Sequence, residues 1–329
     1  MKLTGVGAHL AAICALLIWS STHIVNKLLF NAAADPLVLL VSRETLAVCC
    51  LFLLAPRFRP WPGWKQALRR DRYLIAAGVV GMFIYYLFDN YAVQNTYVTN
   101  FTLIITTSPI LSALLSRYVD RSGPLGRRFL LGTALCIVGA AFVIFNGTFV
   151  LRLSPRGDLL TVGASVCWAL YSFLLNRGLQ ENAQTEQPLS LLQFTRNYMA
   201  IGALLMWALF FATGHTAADL LHLGGAFYGS AAYLAVFSSC IAMVLWGRAN
   251  SRLGTVVCSL YLYTSPLLGI LASHLFLQER MTPVAVLGAV LILGGMAIIQ
   301  FHPARAAKAH PLPAVAVDGE EEGKKVQIR

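Results

Sequence analysis

Apolar blocks of about 20 residues, almost free of charge, follow one another along the chain, separated by short polar joints. A bilayer core asks for helices of about that length, because each backbone N–H and C=O must find its partner within its own segment. Ten spans are predicted, at 5–29, 36–54, 72–91, 96–116, 129–147, 158–176, 188–211, 224–246, 253–276 and 282–301. The shortest joint, Val93-Gln94-Asn95, separates the third span from the fourth and requires a tight turn. The pattern predicts an all-α polytopic membrane protein.

The blocks also repeat. A shift of 157 residues carries Thr107-Ser108-Pro109 onto Thr264-Ser265-Pro266. The same shift brings Ala92, Leu103, Leu111, Leu114 and Ser116 onto Ala249, Leu260, Leu268, Leu271 and Ser273. In the helices that follow, Gly132 and Gly139 match Gly288 and Gly295, seven residues apart in both. One module is used twice. With five spans in each copy, the second enters the membrane from the opposite face. The expected architecture is ten transmembrane helices as two inverted five-helix repeats, residues 1–147 and 148–301, with a disordered cytoplasmic tail at 302–329.

Charge sharpens this picture. With both termini placed inside, the inner side carries 19 of the 25 lysines and arginines. The outer side then has Arg152, Arg156 and Arg280, and the remaining Lys27, Arg43 and Arg196 lie within spans. That asymmetry favours cytoplasmic termini. The joint between spans two and three, counted through Arg72 at the first position of span three, holds six basic residues, whereas its counterpart, Gly214 to Leu223, holds no lysine or arginine. Such a reversal is expected of inverted copies.

Composition excludes several classes. The chain is 57% hydrophobic and only 12% charged, with mean hydropathy +0.67, where a soluble chain carries about 25% charge. The net charge of +11 is dispersed between apolar blocks, so no nucleic-acid partner is expected. The seven cysteines lie inside the blocks and read as small apolar side chains rather than a disulfide framework. The first block is long, ends in Asn26-Lys27 and is followed by further spans, so a retained helix is expected. There is no Walker A, G-x-S-x-G or HExxH motif and no Cys/His cluster with metal spacing. No enzyme activity, cofactor or metal is expected.

Candidate functional residues are polar or aromatic groups inside spans. Arg43 and Arg196 sit at matching depths in spans two and seven, and a charge there must face protein or water. Each reads either as a gate or substrate-carboxylate contact, or as a hydrogen-bond hub for helix ends. Trp19 and His23 in span one and Trp168 in span six are placed to line a cavity. Lys27 and Asp89, near the outer ends of spans one and three, are candidates for a gating ion pair or two separate interfacial charges. Tyr85 and Tyr86, with Tyr233, Tyr261 and Tyr263, offer aromatic surface with polar tips for an organic ligand or, alternatively, an interfacial belt. Pro109 and Pro266 should kink spans four and nine. The paired glycines suit close helix packing. No isolated mid-helix carboxylate announces proton coupling.

These features together resemble the EamA-type carriers of the drug/metabolite transporter superfamily. The resemblance rests on Trp19-Ser20, on Pro36 with Arg43, on the two Thr-Ser-Pro motifs, on the Glu279-Arg280 joint and on the glycine-bearing last helix. It covers about residues 8 to 300. The chain departs from the pattern at Asp120-Arg121 and at Ala169, where a serine would follow the tryptophan. The resemblance implies a central cavity ringed by spans one, three, four, six, eight and nine, a structural role for Glu279, and a bacterial inner-membrane exporter. The expected function is secondary-active export of small organic metabolites, aromatic amino acids included, by alternating access. A sugar-phosphate or nucleotide-sugar antiporter and a membrane scaffold or sensor stand as alternatives. Expected partners are a small organic substrate and membrane lipid, with a proton or counter-substrate for coupling and either a monomeric or a homodimeric state.

Overall fold

A computed structural model describes residues 2–57, 68–120, 126–145, 154–221, 223–268 and 282–300. The tail and the Glu279–Arg280 joint lie outside the described residues. The fold is all helical. In chain order the main helices are α1 (Lys2–Asn31), α2 (Pro36–Leu54), α3 (Arg72–Asn95), α4 (Val98–Ile105 and Ser108–Asp120) and α5 (Arg127–Phe145). There follow α6 (Pro155–Ala183), α7 (Leu191–Ala212), α8 (Gly225–Leu253), α9 (Thr255–Leu268) and α10 (Pro283–Gln300). Among the described residues eight are long and apolar enough to cross a membrane, and α9 and α10 are shorter apolar helices.

Burial is arranged for a bilayer solvent. Large apolar side chains such as Leu130, Leu131, Val138, Val286, Leu287, Val290 and Leu293 point outward, while Asn26, Arg43, Glu44, Asp89, Asn90, Arg196 and Asn250 are buried. Lipid solvates hydrocarbon as well as a core does, so polar groups gain most from facing inward.

Local sequence sets the helix ends. Asp35 accepts from the backbone N–H groups of Leu37 and Val38, and Pro36 occupies the first turn, where its missing donor is no loss. Ser190 and Gln193 form a capping box at the start of α7. The helix α4 breaks at Thr106-Thr107, just before Pro109. Pro109 cannot bond the carbonyl of Ile105, and the Ser108 hydroxyl donates to that carbonyl instead, at 2.7 Å. In α9 the stretch Tyr261–Thr264, just before Ser265-Pro266, winds as a 3-10 helix, and the Thr264 hydroxyl donates to the Tyr261 carbonyl.

Two helices contain π-helical turns, Gly78–Ile84 in α3 and Leu234–Ile241 in α8. The 157-residue shift carries 78–84 onto 235–241, so the widened turns occupy equivalent places. The helices α5 and α10 pack antiparallel through their glycines. A Cβ on Gly139 would lie 2.6 Å from the Gly288 carbonyl oxygen, and one on Gly132 would lie 2.6 Å from that of Gly295. Cys136 faces Ile292 midway between them. The helices α2 and α7 are antiparallel too, since Thr45 meets Trp207 while Ala55 meets Arg196.

Candidate functional site

The site begins with two neighbours on α2. Arg43 and Glu44 are each 1% exposed, and Arg43 Nε donates to Glu44 Oε1 at 3.0 Å. The guanidinium lies over the Tyr86 ring of α3, 4.4 Å from its centroid, a cation–π contact strengthened by the absence of water. The Ser239 hydroxyl, in the π-helical turn of α8, donates to the same Oε1 at 2.6 Å. Glu44 Oε2 and Arg43 Nη1 remain buried without a partner. Isolated charges at this depth are costly, so their mutual pairing is what makes the arrangement tolerable.

A second carboxylate lies on α3, one turn along from Tyr85. Asp89 is buried and accepts from the Tyr85 hydroxyl at 3.3 Å. It lies within electrostatic reach of both His23 and Arg43. The His23 ring packs 4.5 Å from Phe101 of α4, and its Nδ1 has no partner. One arginine, two carboxylates and one histidine therefore share the centre of the first half.

Aromatic rings close over this group. Trp19 of α1, Trp168 of α6 and Trp246 of α8 form a mutual triad, with centroids 5.1, 5.3 and 5.5 Å apart. Tyr85 touches both Trp168 (5.1 Å) and Tyr86 (5.4 Å). Trp19 Nε1 donates to the Ser238 carbonyl at 3.2 Å and Thr22 donates to the Ser238 hydroxyl. The π-helical turn thus supplies Ser238 and Ser239 to both layers, consistent with the frequent placement of such turns at functional sites. The rings are in contact with one another. A small cleft lies elsewhere, between Arg70, Tyr73, Glu181 and Phe194, and holds about 10 Å³, room for one water.

Other candidates lie apart from this centre. Lys27 does not pair with Asp89. Its Nζ donates to the carbonyls of Val93 and Thr96 at 2.9 Å and of Gln94 at 3.4 Å. It serves the C-terminal end of α3, where orphan carbonyls and the helix dipole favour a cation. The tight joint there is also stitched from α6, because Asp158 accepts from the Thr96 hydroxyl and the Asn100 amide. Arg196 is fully buried and donates to the carbonyls of Ala55 and Arg57 and to Asn197 Oδ1. It holds the end of α2 rather than the centre. Tyr233 bonds Ser21 at 2.7 Å and stacks on Phe237. Tyr261 bonds His9, and Tyr263 is buried beside Thr133 and Cys136.

Sequence reasoning missed Glu44, Ser239 and Trp246. The repeat held a signal for two of them. Matching Arg43 to Arg196 sets Glu44 against Asn197, and the 157-residue shift sets Trp246 against Asp89. In both cases the halves differ, Glu44 being buried against a half-buried Asn197 and Trp246 against a buried Asp89.

The model of the EamA-like transporter family matches this sequence twice, over residues 6–145 and 155–301. The chain belongs to the EamA-like transporter family. Family membership makes it a transporter of small organic metabolites and not an enzyme. It is similar to the "Uncharacterized transporter YyaM" of Bacillus subtilis (strain 168), 27% identical over 239 residues, covering 70% of this chain and 74% of that one. It is also similar to a "Probable terminal-alkyne amino-acid exporter" of Streptantibioticus cattleyicolor, 26% identical over 275 residues, covering 79% of this chain and 82% of that one. A solved structure aligns with a TM-score of 0.67 at 19% identity, over 89% of this chain and 96% of that one, a likeness of fold. As an EamA-like transporter the chain is an integral membrane protein. Among the described residues no group of three His, Cys, Asp or Glu is placed to hold a metal ion.

Proposed function

We propose that this EamA-like protein exports amino acids with large apolar or aromatic side chains by alternating access. It would do so in a bacterial inner membrane with both termini cytoplasmic, as two inverted five-helix halves, residues 1–147 and 148–301. The observation that carries the substrate reading is the contact between the buried Arg43–Glu44 pair and the Tyr86 ring, which continues through Tyr85 to Trp168. Charged groups for a polar head lie beside apolar area for a side chain. The exporter of Streptantibioticus cattleyicolor supports the same class. The antiporter of phosphorylated sugars loses ground, because Lys27 and Arg196 are both committed to backbone carbonyls. A doubly charged phosphate would find one central arginine.

Counterflow in proteoliposomes tests the proposal. Vesicles loaded with an unlabelled aromatic or branched-chain amino acid should accumulate external labelled substrate transiently, above protein-free vesicles. Equal uptake with and without verified protein, across the twenty amino acids, would overturn the amino-acid reading.

A further inference from the structure

The duplicated fold contains its own control for the Arg43–Glu44 pair. In α7 the equivalent neighbours are Arg196 and Asn197, and Arg196 Nε donates to Asn197 Oδ1 at 3.0 Å. Arg43 Nε donates to Glu44 Oε1 at the same 3.0 Å. An amide oxygen can therefore take the Nε of an arginine at the equivalent position, where the Ala55 and Arg57 carbonyls take the rest of the guanidinium. The negative charge of Glu44 balances Arg43, yet only one of its two oxygens is used at 1% exposure, where an unpaired charged oxygen is expensive. Its Oε1 takes both available donors, Arg43 Nε and Ser239 Oγ. Its Oε2 takes none, and Arg43 Nη1 gives to none. Buried polar atoms in native proteins are nearly always paired, so two orphans of opposite sign on two groups in contact mark a missing partner.

We infer that Arg43 and Glu44 form a bipolar clamp for a zwitterion. Arg43 Nη1 would donate to the ligand's carboxylate, and Glu44 Oε2 would accept from its ammonium. A zwitterion answers both orphans and adds no net charge, so the pair stays balanced whether the site is full or empty. A simple cation or anion would satisfy one atom and leave an uncompensated charge in the membrane interior. The remaining groups facing the pair fit this assignment. Tyr86 lies under the guanidinium, Tyr85 joins it to Trp168, and Asp89 is engaged by Tyr85 with His23 in reach. The ligand's side chain would lie on that aromatic wall. The assignment rests on the transport reading for its physiological meaning, but binding tests it separately from flux.

The experiment is calorimetric binding to purified full-length protein. Probes are the apolar and aromatic L-amino acids, each beside its decarboxylated amine and its deaminated acid, for example L-phenylalanine, 2-phenylethylamine and 3-phenylpropanoate. At least one zwitterion should bind about 10- to 100-fold tighter than either singly charged relative. Glu44→Gln keeps an acceptor for Arg43 and Ser239 and leaves Asp89 within electrostatic reach of the guanidinium, and its folded fraction is isolated by size-exclusion before binding is measured. It should abolish the preference over the deaminated acid, and Glu44→Asp should restore part of it. Three overturning results are equal affinity for all three forms, unchanged selectivity in a folded Glu44→Gln protein, and no binding of any zwitterion. Flux without zwitterion preference overturns the clamp and leaves the carrier. Zwitterion-selective binding without flux overturns the carrier and leaves the clamp.

Discussion

Arg43 and Arg196 occupy equivalent positions and have diverged in what they touch. Arg196 reaches the carbonyls at the end of α2, where four carbonyls lack intrahelical donors. Arg196→Ala would leave the buried Ala55 carbonyl and the half-buried Asn197 without their donor, at a cost of about 2–4 kcal/mol given charge-assisted hydrogen bonds of about 1.5–3 kcal/mol each. The expected outcome is a clearly lower thermal midpoint in detergent, with substrate affinity of the folded fraction unchanged. An affinity loss without a stability loss would mean that Arg196 reaches the ligand. The depth of both arginines was legible in the sequence, because a charge in an apolar block is conspicuous. Their division of labour was not, since it depends on which neighbour each side chain meets. The same reason explains Lys27. Sequence places it near Asp89 in depth, but helical phase and a reach to three carbonyls decide its partner. Glu44 was overlooked because it stands next to Arg43 and reads as its counter-ion. Only the unfilled Oε2 sets it apart.

At the scale of elements, the glycine spacing on α5 and α10 was readable in advance, and its geometric consequence is specific. Gly132 faces Gly295 and Gly139 faces Gly288, with a carbonyl oxygen where each Cβ would go. Gly139→Val must push the two helices apart, because backbone rather than a flexible side-chain tip lies in the way. Overpacking of this kind costs about 1–3 kcal/mol. Thermal melting of the purified variant should register that loss, while Gly126→Val, with open space around it, should melt as the parent does. Equal midpoints for the two variants would contradict close α5–α10 contact. The break before Pro109 and the 3-10 stretch before Pro266 both precede a proline, which removes a donor wherever it sits. The π-helical turns were not legible in the sequence. GVVGMFI and LAVFSSCI are as apolar as any regular span. The local widening reflects how α3 and α8 are seated against their neighbours, which one-dimensional patterning does not encode. Trp246 belongs to the same class. It lies two residues from Arg248 near the end of α8, where a tryptophan usually reads as an interfacial anchor. The packing instead buries it completely in the tryptophan triad.

For the whole molecule, the pairing of helices bears on the two-fold arrangement more directly than any motif. Contacts between α1 and α8 are answered by those between α6 and α3, and contacts of α2 with α8 by those of α7 with α3. The pairs α2–α7 and α5–α10 are each antiparallel and join equivalent helices. Gly139 meets Gly288, whose own equivalent is Gly132, and Gly132 meets the equivalent of Gly139. Such reciprocity is what the proposed two-fold relation between the halves would produce. Lys27 on the Val93 carbonyl has its counterpart in Asn176 on the Asn250 carbonyl, one at each end of the bundle. If the axis lies in the membrane plane, the joint after α2 and the joint after α7 must face opposite sides. Single cysteines at Gly63 and Ala217, in a functional background lacking the seven native cysteines, measure this directly. In intact cells a membrane-impermeant maleimide should label Ala217→Cys and spare Gly63→Cys, and in inside-out vesicles the pattern should reverse. The six basic residues of the first joint and the absence of lysine and arginine from the second predict that polarity. Labelling of both positions from the same side would remove the inverted arrangement and, with it, the physical route to alternating access by exchange of two nearly equivalent halves.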